Sequence, residues 1–342
     1  MTYKFNNVYI DNTYTIGGVY EANGPLRKYF DKIYDEDFYF GEKSIEQAEI
    51  KLSRDAVNGL LKKCSLNDSE VDLLIAGDLQ NQISASNYMA RSFKMPFLGI
   101  YNACATSSEG ISIASVFIDS KKIKNCIVAT SSHNLVAEKQ FRNPIEYGAP
   151  KPETATFTAT GGTAMLLSNK KSKIRVSSAT IGMVQDLGIK DVNHMGAVMA
   201  PAAADTIYKH LTATNTSVND YDLILTGDLG EYGKNILTDY MKEQYNIELG
   251  NNYNDCGCIL YDTKKQPVLA GGSGPVCSSL VYFSYVLEEM KNNKLKKVLV
   301  VPTGAIFSPT LVFQKETVPS IAHAICLEVV EWFIYIHFCF VA

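Results

Sequence analysis

Short apolar runs flanked by glycine, aspartate or lysine recur along the chain, separated by stretches whose apolar positions return every three or four residues. The first pattern predicts strands buried on both faces, and the second predicts helices packed against them. Strands are expected in LLIAG before Asp78, in PFLGIYN before Cys104, in CIVATS (126–131), TAMLLS (163–168), IRVSSATIG (174–182), CILYD (258–262) and TLVFQ (310–314). Strands alternating with helices imply an α/β protein with largely parallel sheets.

The pattern repeats. NDSEVDLLIAGDL, from Asn67 to Leu79, matches VNDYDLILTGDL, from Val218 to Leu229, with Asp72 on Asp222 and Gly77-Asp78 on Gly227-Asp228. Further on, CATSSEGISIASVFIDSKKIKNCIVATSS from Cys104 matches CSSLVYFSYVLEEMKNNKLKKVLVVPTGA from Cys277. Each copy of the second block reads as a small-residue turn, an apolar helix, a lysine-rich exit and a buried strand. Two matched blocks in one order predict a duplicated fold. Its two pseudo-symmetric βαβ halves, 1–172 and 173–327, would stack as a five-layered α-β-α-β-α body, leaving an apolar tail at 328–342.

Composition narrows the functional classes. The 342 residues carry 32 Lys and Arg against 36 Asp and Glu, a net charge of −4. No single basic run emerges, which argues against nucleic acid as a partner. The eight cysteines are scattered, and MTYKFNNVYIDNTYT at the start lacks the apolar core of a signal peptide. Free thiols in a reducing, intracellular setting are therefore expected. Cys256 and Cys258 form one lone pair without a second pair or histidine at metal spacing, so no metal is expected. No run reaches the roughly 20 apolar residues of a membrane-spanning helix. The tail WFIYIHFCFVA, from Trp332 to Ala342, is read as a last buried element or as a membrane-surface or partner-docking segment.

The chemistry centres on Cys104, which follows a strand and opens an apolar helix. At that position the helix end favours the thiolate, and the N–H groups of Ala105, Thr106 and Ser107 can receive a carboxylate or an oxyanion. The alternative is an inert packed cysteine. Of the five histidines, His210 in IYKHLTATN reads as a solvated helix end, His323 as a residue able to approach the pocket, and His133 in the SSHN loop as the best pocket candidate; His194 and His337 read as structural or solvated.

A duplicated strand–Cys–helix half resembles the thiolase and β-ketoacyl synthase superfamily. More narrowly, LLIAGDLQNQ (73–82), ACATSSEG (103–110), KPETATFTATGG (151–162), AVMAPAAADTI (197–207), AGGSGPVCSS (270–279) and TGAIFSPTLVFQKETVPSIAHA (303–324) resemble the stage V sporulation protein AD family of that fold. The resemblance runs from about residue 16 to 327; the tail from Glu328 departs from the pattern. The superfamily's cysteine is a nucleophile served by histidines of the second half. One of these histidines would follow the strand DLILTG, where this chain has Gly227-Asp228-Leu229; another would lie in the turn that reads Gly271-Gly272-Ser273-Gly274-Pro275 here. The cysteine is kept as a vestigial nucleophile and its acid–base partners are gone, which points to a non-catalytic binding protein.

The resemblance implies dipicolinic acid, taken into the developing spore with calcium, as the ligand. No other cofactor is implied. A planar dianion needs N–H donors, cations and flat apolar walls. The candidate site is Cys104, Ala105 and Thr106 at the helix entrance, Gly272 and Ser273 in the glycine turn, His133, Arg142, Tyr147 and Lys151 on the long loop, and Cys256 and Ser308 at strand ends. The resemblance also implies membrane-embedded subunits of a spore uptake complex as partners, a peripheral place at the spore inner membrane, and a homodimer formed through the strand at 126–131. An acyltransferase using Cys104 and a purely structural subunit are the competing readings.

Overall fold

The computed structural model describes residues 1–141, 150–306 and 308–330. Ten strands form the body of one long sheet. Across its first half lie Phe97–Gly99, Leu74–Gly77, Asn125–Ser132, Gly161–Ser168 and Tyr9–Gly17. Across the second lie Ile174–Ile181, Ser320–Val329, Lys297–Ala305, Leu223–Gly227 and Tyr253–Asp255. Along this strand order the halves join where Tyr9 and Ile10 pair with Arg175 and Ile174. The expectation of largely parallel sheets needs correction. Gly161–Ser168 and Ser320–Val329 run against both of their neighbours, so each half is mixed. Gly161–Ser168 and Ile174–Ile181 both run against Tyr9–Gly17, which lies between them, and antiparallel neighbours need no crossover helix.

Side chains alternate between two cores, as strands buried on both faces require. Ile75, Val128, Met165 and Leu167 enter a central core with Val298, Val300, Ile325 and Leu327. Their neighbours Leu74, Ala76, Ile127, Ala129 and Leu166 face an outer core with the helix Ile45–Cys64. On the far side Leu299, Val301, Ala322 and Ala324 face the helix Met195–Thr214. The central core is filled by Thr106–Asp119 and by the continuous helical stretch from Pro275 to Lys291. This is the expected α-β-α-β-α layering.

The duplication is visible bond by bond. Asp72 accepts the backbone N–H groups of Lys124 (2.6 Å) and Asn125 (3.2 Å). Its counterpart Asp222 accepts those of Lys296 (2.6 Å) and Lys297 (2.9 Å). Each carboxylate thus anchors the strand that follows the lysine-rich exit of its own half. The turn before each of these aspartates is closed by a reciprocal capping box, Asn67 with Glu70 and Ser217 with Asp220.

Two expected strands are helices. CILYD starts inside the helix Cys256–Leu260, because the Asp255 side chain accepts the Gly257 N–H at 2.9 Å and caps a helical turn. TLVFQ lies in Pro309–Phe313, where proline at the first helical position presets the backbone. The strand Asn125–Ser132 is hydrogen-bonded on both edges within the chain, to Leu74–Gly77 and to Gly161–Ser168. It offers no edge to a second copy, so the expected dimer contact through 126–131 is ruled out on that strand.

Candidate functional site

Cys104 is held by a turn rather than by a helix end. The strand before it, Phe97–Gly99, is a partly exposed edge and not a buried strand. Ala103 then takes φ +47, a left-handed conformation costly for a side-chain-bearing residue. The bend is fixed because backbone presses on it from both halves. A Cβ on Gly77 would lie 2.2 Å from the Ile100 carbonyl oxygen, and one on Gly304 would lie 2.4 Å from that of Asn102. Ala103–Ala105 form a short 3-10 turn before Thr106–Asp119 begins. That turn uses the donors expected to be free. Ala105 N–H bonds the Asn102 carbonyl at 3.0 Å, and Thr106 N–H bonds that of Ala103. Thr106 Oγ1 donates to the same Ala103 oxygen at 2.7 Å and accepts Asn102 N–H at 3.1 Å.

The donor that reaches the cysteine comes from the other half. Gly274 N–H points at Cys104 Sγ across 3.2 Å. Gly274 sits at φ +100, with Ser132 Oγ and Thr158 Cγ2 each 3.0 Å from where a Cβ would be. Gly272–Ser273 pairs with Phe157–Thr158 as a two-stranded ribbon that carries this turn to the cysteine.

The thiol is not activated. Cys104 keeps partial exposure to the cavity, yet protein surrounds it closely. Burial pushes its thiol well above the ordinary range and the nearby Asp228 adds to this, against the smaller help of the Gly274 N–H. The sequence-based expectation of a favoured thiolate is therefore corrected. Asp228, at φ +76, is wholly buried, and neither carboxylate oxygen has a hydrogen-bond partner among the described residues. Burial first, and then the neighbouring Asp255, drive its carboxyl far up, so it stands as a neutral acid. Asp255, by contrast, accepts from Thr226 Oγ1 and from the N–H groups of Leu229, Gly230 and Gly257, and rises only to about 6.

His323 approaches the cysteine turn without serving it. Gly182 N–H, which can only donate, meets its Nδ1 at 3.2 Å. Its Nε2 lies 2.7 Å from the Asn102 side-chain amide nitrogen, so both ring nitrogens are engaged away from the thiol. Burial lowers the ring to about 4, so it remains neutral.

A small cavity of about 80 Å³ opens beside Cys104. Leu79, Tyr101, Phe141, Val192, Met195 and Met199 line it with apolar groups, and Thr156, Thr158, Ser273 and Gly274 add polar ones. Of the expected site, Cys104 and Ser273 line it. Ala105 and Thr106 are buried in the turn below, and Gly272 is packed against Cys277 and Tyr261. Lys151 reaches the rim through Glu138, a lining residue that it pairs with at 2.6 Å.

Three further expected members also do not line the cavity. His133 is buried, donates from Nε2 to the Phe38 carbonyl at 2.8 Å and accepts Leu135 N–H on Nδ1. Cys256 is core, with its thiol driven up by burial. Ser308 precedes the helix at Pro309. Arg142 and Tyr147 fall outside the described residues. His210, expected to be solvated, is fully buried with Nδ1 at 2.8 Å from Thr180 Oγ1. Asp228 and the Asn102–His323 pair were not selected from sequence. The repeat carried a signal for Asp228, since Gly227-Asp228 matches Gly77-Asp78, but Asp78 accepts Gln80 and Ser86 N–H groups while Asp228 turns inward.

Comparison with known proteins follows this geometry. The family model of stage V sporulation protein AD matches residues 1–328. Stage V sporulation protein AD of Bacillus subtilis (strain 168) is 47% identical over 321 residues, 94% of each chain. Among solved structures, cerulenin-bound OleA of Xanthomonas campestris superposes with a TM-score of 0.61 at 13% identity, covering 96% of this chain and all of that one. The 3-oxoacyl-[acyl-carrier-protein] synthase III of Aquifex aeolicus gives 0.51 at 14% identity, with 94% and 99% covered. At such identities these structures establish the thiolase-like fold alone.

Proposed function

The chain belongs to the stage V sporulation protein AD family, and from that premise we propose that it is a non-catalytic dipicolinate-binding protein that helps load dipicolinate into the developing spore. The observation that carries this reading is the electrostatics at Cys104. A thiol held by one backbone N–H, beside a neutral buried Asp228 and with His323 turned to Asn102, has no base of the kind acyl transfer requires in hydrogen-bond contact with it among the described residues. The cavity suits a small planar ring: aromatic and aliphatic side chains line it together with the hydroxyl-bearing Thr156, Thr158 and Ser273. Lys151 is already paired with Glu138, so a ligand whose charge is offset by calcium suits these walls. Among the described residues no helix is long and apolar enough to cross a membrane. The proposed place is peripheral, beside membrane-embedded subunits of the uptake complex at the spore inner membrane, as a homodimer.

The fold shared with a 3-oxoacyl synthase keeps a second reading alive, acyl transfer on Cys104. Calorimetric titration with dipicolinate, with and without calcium, separates the two. Saturable binding that weakens in Cys104→Ala, Ser273→Ala or Arg142→Ala is the expected result. Absence of binding in both conditions, together with acyl-CoA labelling of Cys104, would replace it with the acyltransferase.

A further inference from the structure

The two-stranded ribbon beside Cys104 sorts its side chains by face. Phe157 and Ala159 enter the central core, so Thr156 and Thr158 turn the other way, and both line the cavity. On the facing strand Gly272 packs against Cys277 and Tyr261, while Ser273 turns to the cavity with the threonines. Ladder bonds fix the main chain here. Ala159 N–H donates to the Ser273 carbonyl at 2.8 Å, and Phe157 N–H donates to that of Gly271 at 2.8 Å.

One hydroxyl in this group has its direction imposed. Thr156 is buried, and its Oγ1 donates to Ser273 Oγ at 3.0 Å. Ser273 Oγ is therefore the acceptor of that bond, and its own single proton must point elsewhere. Among the described residues no group accepts this proton, although Ser273 is only 9% exposed. A hydroxyl so nearly enclosed normally finds an acceptor. Because Ser273 lines the cavity, the space open to its proton is the cavity itself.

The charges around the cavity make that direction matter. Its described lining residues include Glu138 but no lysine, arginine or histidine, and Lys151 is turned to Glu138 at 2.6 Å. A carboxylate entering here meets uncharged donors. A freely rotating hydroxyl would present lone pairs as readily as its proton, and lone pairs repel a carboxylate.

We propose that Thr156 is a positioning residue for the ligand: by donating to Ser273 it commits the Ser273 hydroxyl to donate to a carboxylate oxygen of the bound molecule. Resting on the dipicolinate reading, this arrangement explains how a cavity without a cation among its described lining residues holds a carboxylate.

Calorimetric titration of the full chain with dipicolinate, with and without calcium, tests the role of Thr156. Thr156→Val keeps the shape and removes the hydroxyl, and should weaken binding about five-fold, the worth of one hydrogen bond. Thr156→Ser keeps the hydroxyl and should stay within about two-fold of wild type. Ser273→Ala should weaken binding at least as much as Thr156→Val. Adding Thr156→Val to Ser273→Ala should then cost nothing more, because Thr156 acts through Ser273. Infrared spectra of bound dipicolinate with isotope-labelled carboxylates give a second readout: Thr156→Val and Ser273→Ala should shift the same carboxylate band in the same direction. Wild-type binding that Thr156→Val leaves unchanged, or a weakening that persists undiminished beside Ser273→Ala, would overturn the role of Thr156 and leave the dipicolinate reading standing. No binding to wild type in either condition would defeat that reading and the role of Thr156 with it.

Discussion

At the residue scale, the pairing of Cys104 with Asp228 decides what the cavity can do. Two ionisable groups share a dry region in which neither gains by becoming charged, since burial raises both. One N–H from Gly274 stabilises the sulfur but leaves the proton in place. Cys104 should therefore react slowly. Alkylation by iodoacetamide at pH 7.5, followed on its own peptide, is expected at least ten-fold slower than for glutathione. A rate equal to that of glutathione would mean that the thiolate forms and that the binding reading is wrong. The cysteine itself was legible in sequence from the small-residue turn before an apolar helix. The fates of His133 and His210 were not, because a histidine in a loop and one near a helix end look alike until packing decides which face they turn to. His133 bonds the Phe38 carbonyl nearly a hundred positions away, a partner that no local pattern reveals.

At the element scale, the duplication was readable because its strands are buried on both faces and so keep unbroken apolar runs. The aspartates that anchor those runs were readable for the same reason. Asp72 and Asp222 each hold two strand N–H groups at a surface turn, so each alanine variant should cost about 1 kcal/mol. The pair should add to within about 0.5 kcal/mol, since they serve different halves. Urea denaturation measures this; a negligible cost at either site would show that water replaces the carboxylate. Short elements were less legible. CILYD and TLVFQ contain β-favouring residues, but Asp255 and Pro309 start helical turns ahead of them, and a five-residue segment follows its cap rather than its composition. The mixed direction of each half-sheet was hidden too, since a strand's apolar run is the same read in either direction.

At the scale of the whole molecule, the five layers bury acids that composition counts as surface charge. Glu21 is enclosed with the Tyr261 hydroxyl and Thr160 N–H, and burial raises its carboxyl to about 7. Glu49, bonded by Gln80 and Ser131, is raised by burial and by Asp78 beside it. The sign of their effect on stability follows from proton counting. Above the ordinary carboxylate pKa the unfolded chain has lost these protons while the folded chain retains them, so stability falls as pH rises through the folded values. His210 and His323 act in the opposite sense. Their rings are lowered to about 4, so stability is lost as pH falls through 6.5 towards 4, and each ring still adds about 0.4 kcal/mol as pH rises from 6.5 to 8. Between pH 6.5 and 8 the two buried acids together outweigh the opposing histidines, Glu49 losing more than Glu21 because its carboxyl is raised further, to about 8. Glu21 alone should remove on the order of 1 kcal/mol across that window, a shift of a few degrees in Tm. Thermal unfolding of wild type should therefore show a lower Tm at pH 8 than at pH 6.5. Glu21→Gln, which keeps an acceptor for Tyr261 but cannot ionise, should flatten part of that slope. A Tm that rises over the window, or a slope untouched by this substitution, would mean that Glu21 is ionised in the folded protein. Its contact with Tyr261 would then be a charged hydrogen bond, and the region beneath the Phe157–Thr158 ribbon would have to be far more polar than its packing indicates.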